Sequence, residues 1–113
     1  MHEMAIAQGI LDISLDAARR NGAVRISRIK LRVGEMTEVE PDALIFCFSA
    51  VAAGTEAEGA ELAVEVVPLT GRCADCGQGF PISNYRFYCP ACGSAGVSIE
   101  TGRELLVEEL EAE

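Results

Sequence analysis

The sequence predicts an α+β fold: two helices packed on a small mixed or antiparallel sheet, with a zinc-ribbon module inserted before the closing strands. Three observations carry this. Hydrophobic residues recur at helical spacing in two early segments. Valine, leucine and isoleucine alternate with polar residues in later ones. Between them lies a run of turns bearing two Cys-x-x-Cys pairs.

The elements follow in order. From about Glu3 to Arg20, Ile6, Ile10, Ile13 and Ala17 keep a helical spacing, widened by Leu11, Leu15 and Ala18. Asn21-Gly22 supplies the stop, because both residues accept the left-handed conformation that ends helices. Ile29, Leu31 and Val33 then alternate with Lys30 and Arg32, as in a half-buried strand. The alternation slips between Ile26 and Ile29, so the pattern does not fix where this strand starts. Gly34 to Glu40 is an acidic loop. Pro41 suits a first helical turn, and Leu44, Ile45, Phe48, Val51 and Ala52 make a second helix ending before Gly54-Thr55. Leu62, Val64 and Val66 alternate with Ala63, Glu65 and Val67 in a second strand. Thr70 to Gly96 holds the paired cysteines. Val97 to Thr101 and Glu104 to Leu110 read as two closing strands joined across Thr101-Gly102-Arg103. The expected division is therefore residues 1–69 with 97–113 as one domain and 70–96 as the ribbon.

Composition bounds the function. The chain has 113 residues, half of them hydrophobic, enough for one core plus a small satellite. Nine Lys and Arg against 18 Asp and Glu give a formal charge of −9. Such a surface repels nucleic acid and anionic membranes and suits metal cations or basic protein partners. No segment reaches the ~20 apolar residues of a membrane span, and the start Met1-His2-Glu3-Met4 has no secretory pattern. The expected location is the cytoplasm, where five cysteines point to metal or redox chemistry rather than disulfides.

The cysteines are spaced Cys73-x-x-Cys76, twelve residues, Cys89-x-x-Cys92, with Gly77 and Gly93 following the pairs. Two cysteines three apart on a tight turn aim both sulfurs at one point, and the glycine lets the chain turn past. Two such knuckles facing each other make the closed four-sulfur site of structural zinc. The same double knuckle serves iron in rubredoxins, and four thiolates alone do not choose between the metals. Cys47, inside the second helix, reads as a small buried hydrophobe.

His2 is the only histidine. Its bulk keeps Met1 in place, so the Met1 α-amine, the backbone nitrogens of His2 and Glu3, and an imidazole stand at a spacing that forms fused chelate rings. Those donors suit Ni(II) or Cu(II) in a planar arrangement. Glu3 adds a carboxylate and also sits where an acid favours the helix dipole. The loop 34–42 carries four acids, Glu35, Glu38, Glu40 and Asp42, as a solvated cap or as a source of a further ligand.

Taken together, Met1-His2-Glu3, Val33-Gly34-Glu35, the double knuckle and the ending Gly102-Arg103-Glu104-Leu105 through Leu110 resemble the HypA/HybF family along the whole chain. The resemblance implies a nickel metallochaperone for [NiFe]-hydrogenase maturation, with transferable Ni(2+) at the N-terminus and structural Zn(2+) on Cys73, Cys76, Cys89 and Cys92. It implies His2 and the N-terminal backbone nitrogens as nickel ligands, with the loop acid of some members falling at Glu40. The implied partners are the GTPase HypB, the hydrogenase large subunit and, for some members, the urease maturation machinery. No nucleophile–base pair and no glycine-rich phosphate loop is visible, so the expected role is delivery, not catalysis. A carrier needs an exposed, incompletely coordinated site, which an N-terminus offers and a closed ribbon does not. The alternative is a rubredoxin-like iron electron carrier.

Overall fold

The computed structural model describes residues 2–113. Its elements are α1 (Glu3–Arg20), β1 (Ile26–Gly34), a 3-10 turn (Glu35–Thr37), α2 (Pro41–Ala52), β2 (Glu61–Val67), β3 (Thr70–Cys73), β4 (Gly79–Pro81), β5 (Val97–Thr101) and β6 (Leu105–Ala112). They build two three-stranded sheets, one ordered β2-β1-β6 and the other β4-β3-β5.

In the first sheet β1 runs parallel to β2 and antiparallel to β6, so α2 lies in the crossover that a parallel pair requires. Both helices join Ile26, Ile29, Leu31 and Val33 of β1 and Leu62 of β2 in one core. Arg28, Lys30 and Arg32 alternate with that set and meet acids instead: Arg28–Glu61 at 3.7 Å, Lys30–Glu108 at 3.7 Å and Arg32–Glu65 at 3.2 Å. The slip in the Ile26–Ile29 alternation has a structural cause. The β1–β6 register shifts between Ile26 and Arg28, and this irregularity lets residues three apart both face the core, fully buried.

Helix α1 differs in detail from its expected stripe. Its buried line is Ala7, Ile10, Leu11, Ser14, Leu15 and Ala18, while Ile13 is 62% exposed. Ile13 overhangs the margin of the three-stranded sheet, beside Leu105 and Leu106 of the edge strand β6. The predicted stop holds: Gly22 is left-handed, and the Ala23 N–H donates to the Ala18 carbonyl at 2.9 Å. In β2, Leu62 faces the core, but at the end of the strand Val66 turns outward, half exposed, and Val67 goes under.

A second correction concerns β5. The sequence pattern joins Val97–Thr101 to the closing strand of the main sheet, whereas the structure pairs it with β3, Cys73 opposite Val97. The second sheet therefore extends past residue 96 to Thr101, and only β6 returns to β1. Val97 and Ile99 are needed there, packed against a small core of Leu69, Cys73, Phe80, Ile82 and Cys89. The two units touch through backbone and through side chains of the acidic loop. The Met36 N–H donates to the Gly102 carbonyl at 2.8 Å, and Glu35 Oε1 accepts from the Leu69 N–H at 3.3 Å.

Candidate metal centres

The four ribbon cysteines converge. Their Sγ atoms all lie within 4.8 Å of one another, with Cys73–Cys92 and Cys76–Cys89 each at 3.6 Å. Tetrahedral zinc with bonds of about 2.3 Å requires sulfurs about 3.8 Å apart, so the donor set fits a four-coordinate closed site. Cys73 and Cys89 are buried, Cys76 and Cys92 exposed.

The two knuckles are near copies. The Gly77 N–H donates to the Cys73 carbonyl at 2.9 Å and the Gly93 N–H to that of Cys89 at 2.8 Å. Cys73 and Cys89 donate in turn to the carbonyls of Gln78 and Ser94, both at 2.9 Å. Gly77 and Gly93 have φ of 76° and 75°, a conformation that disfavours any side chain. Ser94 Oγ donates to the Asp75 carboxylate, tying one knuckle to the other.

The electrostatics repeat the same symmetry. The Cys76 N–H pulls the Cys73 thiol down to about 7, and the Cys92 N–H pulls Cys89 down in the same way. At Cys92 the Ser94 N–H pulls downward, but the neighbouring Cys73 sulfur, burial and the other sulfurs outweigh it and push the thiol up to about 12. Cys76 is raised likewise, the Gln78 N–H being outweighed by Cys89, burial and Cys73. Two groups are drawn toward thiolate while their neighbours are made to hold protons, a conflict that a divalent cation removes by replacing the protons.

In the helical unit His2 occupies the N-cap position of α1, exposed, its carbonyl accepting from the Ile6 N–H at 3.2 Å. Met1, named above for its nitrogens, lies outside the described residues. Glu3 Oε2 accepts from the Glu40 N–H at 3.3 Å, so the start of the first helix meets the acidic loop. That bond, then the Glu3 N–H, with His2 adding its field, holds the Glu3 carboxyl below the usual range. Glu40 caps α2, its Oε1 accepting from the Asp42 N–H at 3.2 Å. Cys47 is half-buried against the main core. The sequence offers a loop carboxylate to the N-terminus, whereas this contact uses the Glu40 backbone N–H with the Glu3 carboxylate as acceptor.

Residues 1–112 match the family model described as HypA: Hydrogenase/urease nickel incorporation, metallochaperone, hypA. The chain belongs to the HypA family. It is 46% identical to the hydrogenase maturation factor HypA of Geobacter sulfurreducens, over the full length of both chains. It is equally identical, again over both full lengths, to the HypA of Chlorobaculum tepidum. The fold is similar to the solution structure of the Ni metallochaperone HypA from Helicobacter pylori, with a TM-score of 0.72 at 24% identity over 99% of this chain and 97% of that one. A second solution structure of a HypA protein aligns with a TM-score of 0.75 at 23% identity, covering 99% and 96%. Membership in HypA covers the ribbon and the helical unit alike, and the rubredoxin-like alternative accounts for the ribbon alone. No helix among the described residues is long and apolar enough to cross a membrane.

Proposed function

We propose that this chain carries Ni(II) at its N-terminus and hands it on during maturation of [NiFe]-hydrogenase, while Cys73, Cys76, Cys89 and Cys92 hold a structural Zn(II). The observation that carries the reading is the meeting of Glu3 with the backbone of Glu40 beside an exposed His2. It sets the residue that follows His2 against the backbone of the loop that carries Glu40. The His2 imidazole with the backbone nitrogens of Met1, His2 and Glu3 would hold the ion, and Glu3 and Glu40 are the further candidates. Planar nitrogen coordination suits nickel, and an open corner lets a receiving protein offer competing ligands. The zinc would supply the ribbon with folding energy and take no part in transfer.

The receiving partners in this reading are the GTPase HypB and then the hydrogenase large subunit, with urease maturation proteins as further clients. Neither nucleic acid nor membrane is a partner, the setting is the cytoplasm, and no reaction is catalysed. Asp12 and Asp16, exposed on α1, offer an acidic face to a docking protein; Asp16 is paired with Arg20 at 2.8 Å and Asp12 accepts from Gln8 at 2.9 Å.

The test is metal analysis and nickel titration of the untagged, zinc-loaded chain. His2→Ala is expected to lose nickel binding while keeping its zinc and its helix content. Undiminished nickel affinity in this variant would sink the assignment.

A further inference from the structure

Besides the Glu35–Leu69 bond, a side-chain to side-chain hydrogen bond joins the ribbon and the acidic loop. The Tyr85 hydroxyl, on the ribbon loop after β4, donates to Glu38 Oε1 at 2.6 Å. Tyr85 stays 53% exposed, so burial does not hold it there. The ring of Phe87 lies behind it, centroids 6.3 Å apart.

The backbone is left-handed on both sides of this contact: Glu38 ends the 3-10 turn, and Asn84-Tyr85 are the central residues of a turn closed by the Arg86 N–H on the Ser83 carbonyl at 3.2 Å. Among the described residues, Glu38, Asn84 and Tyr85 are the non-glycine residues with positive φ, at 58°, 54° and 55°. Glu38 and Tyr85 are the two partners of this contact, and Asn84 precedes Tyr85 in its turn. Asn tolerates the left-handed region, but a tyrosine there is a genuine outlier and persists only where its surroundings over-determine it. The surroundings here are a crevice between the units lined by Glu35, Met36, Leu69, Ile82 and Asn84.

From Glu38 the connection to the proposed nickel corner is short. The loop is laced internally: the Thr37 hydroxyl donates to the Gly34 carbonyl at 2.7 Å and accepts from the Val39 N–H at 3.4 Å. Val39 is buried in the main core, and the next residue, Glu40, gives its N–H to Glu3 beside His2. Two residues apart in this loop, Glu38 is thus tethered by Tyr85 and Glu40 by Glu3.

We propose that Tyr85 is a positioning residue for the nickel site, acting through Glu38 to hold the loop that presents Glu40. The proposal rests on nickel binding at the N-terminus as set out above. A tethered loop is ordered before the ion arrives, so less ordering remains to be done on binding. Because such coupling is reciprocal, nickel at the N-terminus also favours the tethered arrangement of the ribbon.

The test is calorimetric nickel titration of the full, untagged, zinc-loaded chain in five forms: wild type, Tyr85→Phe, Glu38→Ala, their double variant and His2→Ala. Zinc content and circular dichroism confirm folding in each. Tyr85→Phe and Glu38→Ala are each expected to weaken nickel by roughly three- to tenfold, the range of one hydrogen bond. The double variant should bind no more weakly than Glu38→Ala alone, since the hydroxyl then has no acceptor to lose. The ring resonances of Tyr85 should shift when nickel is added to wild type and stay put in His2→Ala, a response that a purely structural tyrosine would not give. Wild-type affinity in Tyr85→Phe, additive losses in the double variant, or unmoved ring resonances would each overturn the proposal. Retained affinity in His2→Ala would overturn it too, and would trace the failure to the placement of nickel rather than to Tyr85.

Discussion

Gly34→Ala isolates the junction of the two units. Gly34 has φ −70° and ψ 143°, extended backbone open to any residue, so the glycine is not there for its conformation. It is there for space. A Cβ would stand 2.1 Å from both the carbonyl carbon and oxygen of Gly102 and 2.5 Å from the Arg103 nitrogen, all of them backbone atoms. Reaching an ordinary contact of 3.4 Å requires the strands to part by about 1.3 Å, the difference between the two distances. Two hydrogen bonds cross this point, Gly34 N–H to the Glu104 carbonyl at 2.6 Å and Met36 N–H to the Gly102 carbonyl at 2.8 Å. Parting of that size breaks both. At about 0.5–1.5 kcal/mol for each bond and about 1–3 kcal/mol for overpacking, the helical unit should lose roughly 2–6 kcal/mol. The assay is urea unfolding followed by helical circular dichroism, which reports this unit because both helices lie in it. With a slope of roughly 1–3 kcal/mol per M the midpoint should fall by about 0.7 M or more. A loss below about 0.5 kcal/mol would refute the steric reasoning.

Cys73→Ala should release zinc and unfold the ribbon, since roughly 10 kcal/mol or more of metal-binding free energy supports a core of only a few apolar side chains. Zinc content and amide dispersion measure it, and a ribbon still folded without metal would contradict the assignment. The Arg19–Glu56 pair, bonded at 2.6 and 3.0 Å, holds the Glu56 carboxyl at about 2 instead of 4.5, chiefly through the hydrogen bonds from Arg19. A depressed carboxyl stabilises the fold above its unfolded value and loses that contribution as pH falls through the folded one. The stability gap between wild type and Glu56→Gln should therefore be constant above about 4.5 and close on the way to about 2. Its size should be small and salt-sensitive because both side chains meet solvent. Acid unfolding of the two proteins checks the window; a gap that survives at the acid end would exclude the pair as its source.

The parts legible from the residues were those whose signal is local. The cysteine knuckles are written in spacing and in Gly77 and Gly93, and α1 in its period and its Asn21-Gly22 stop. What escaped depends on partners distant in sequence. Val97–Thr101 alternates apolar and polar side chains as a strand of either sheet would, and only the knuckle beside it decides that it pairs with β3. Ile26 and Ile29 look out of phase until the register shift against β6 is seen. Tyr85–Glu38 and Glu3–Glu40 join residues 47 and 37 positions apart, and nothing in the composition of either segment selects its mate. Val33-Gly34-Glu35 and Gly102-Arg103-Glu104, picked out separately as parts of a family resemblance, turn out to be two sides of one backbone contact.

That contact bears on the order in which the chain assembles. Strand β6 pairs with β1, yet residues 68 to 104, 37 in all, separate it from β2. In an open chain this segment is a long loop whose closure costs entropy before the β1–β6 ladder repays any of it. A folded ribbon brings Leu69 and Gly102 together, close enough that a Cβ on Gly102 would lie 2.7 Å from the Leu69 Cα. The path from β2 to β6 then shortens to about five residues, and closure becomes cheaper by about 2 kcal/mol. Metal captured by the knuckles would thus speed the last strand of the distant sheet into place, as a crosslink between Leu69 and Gly102 would.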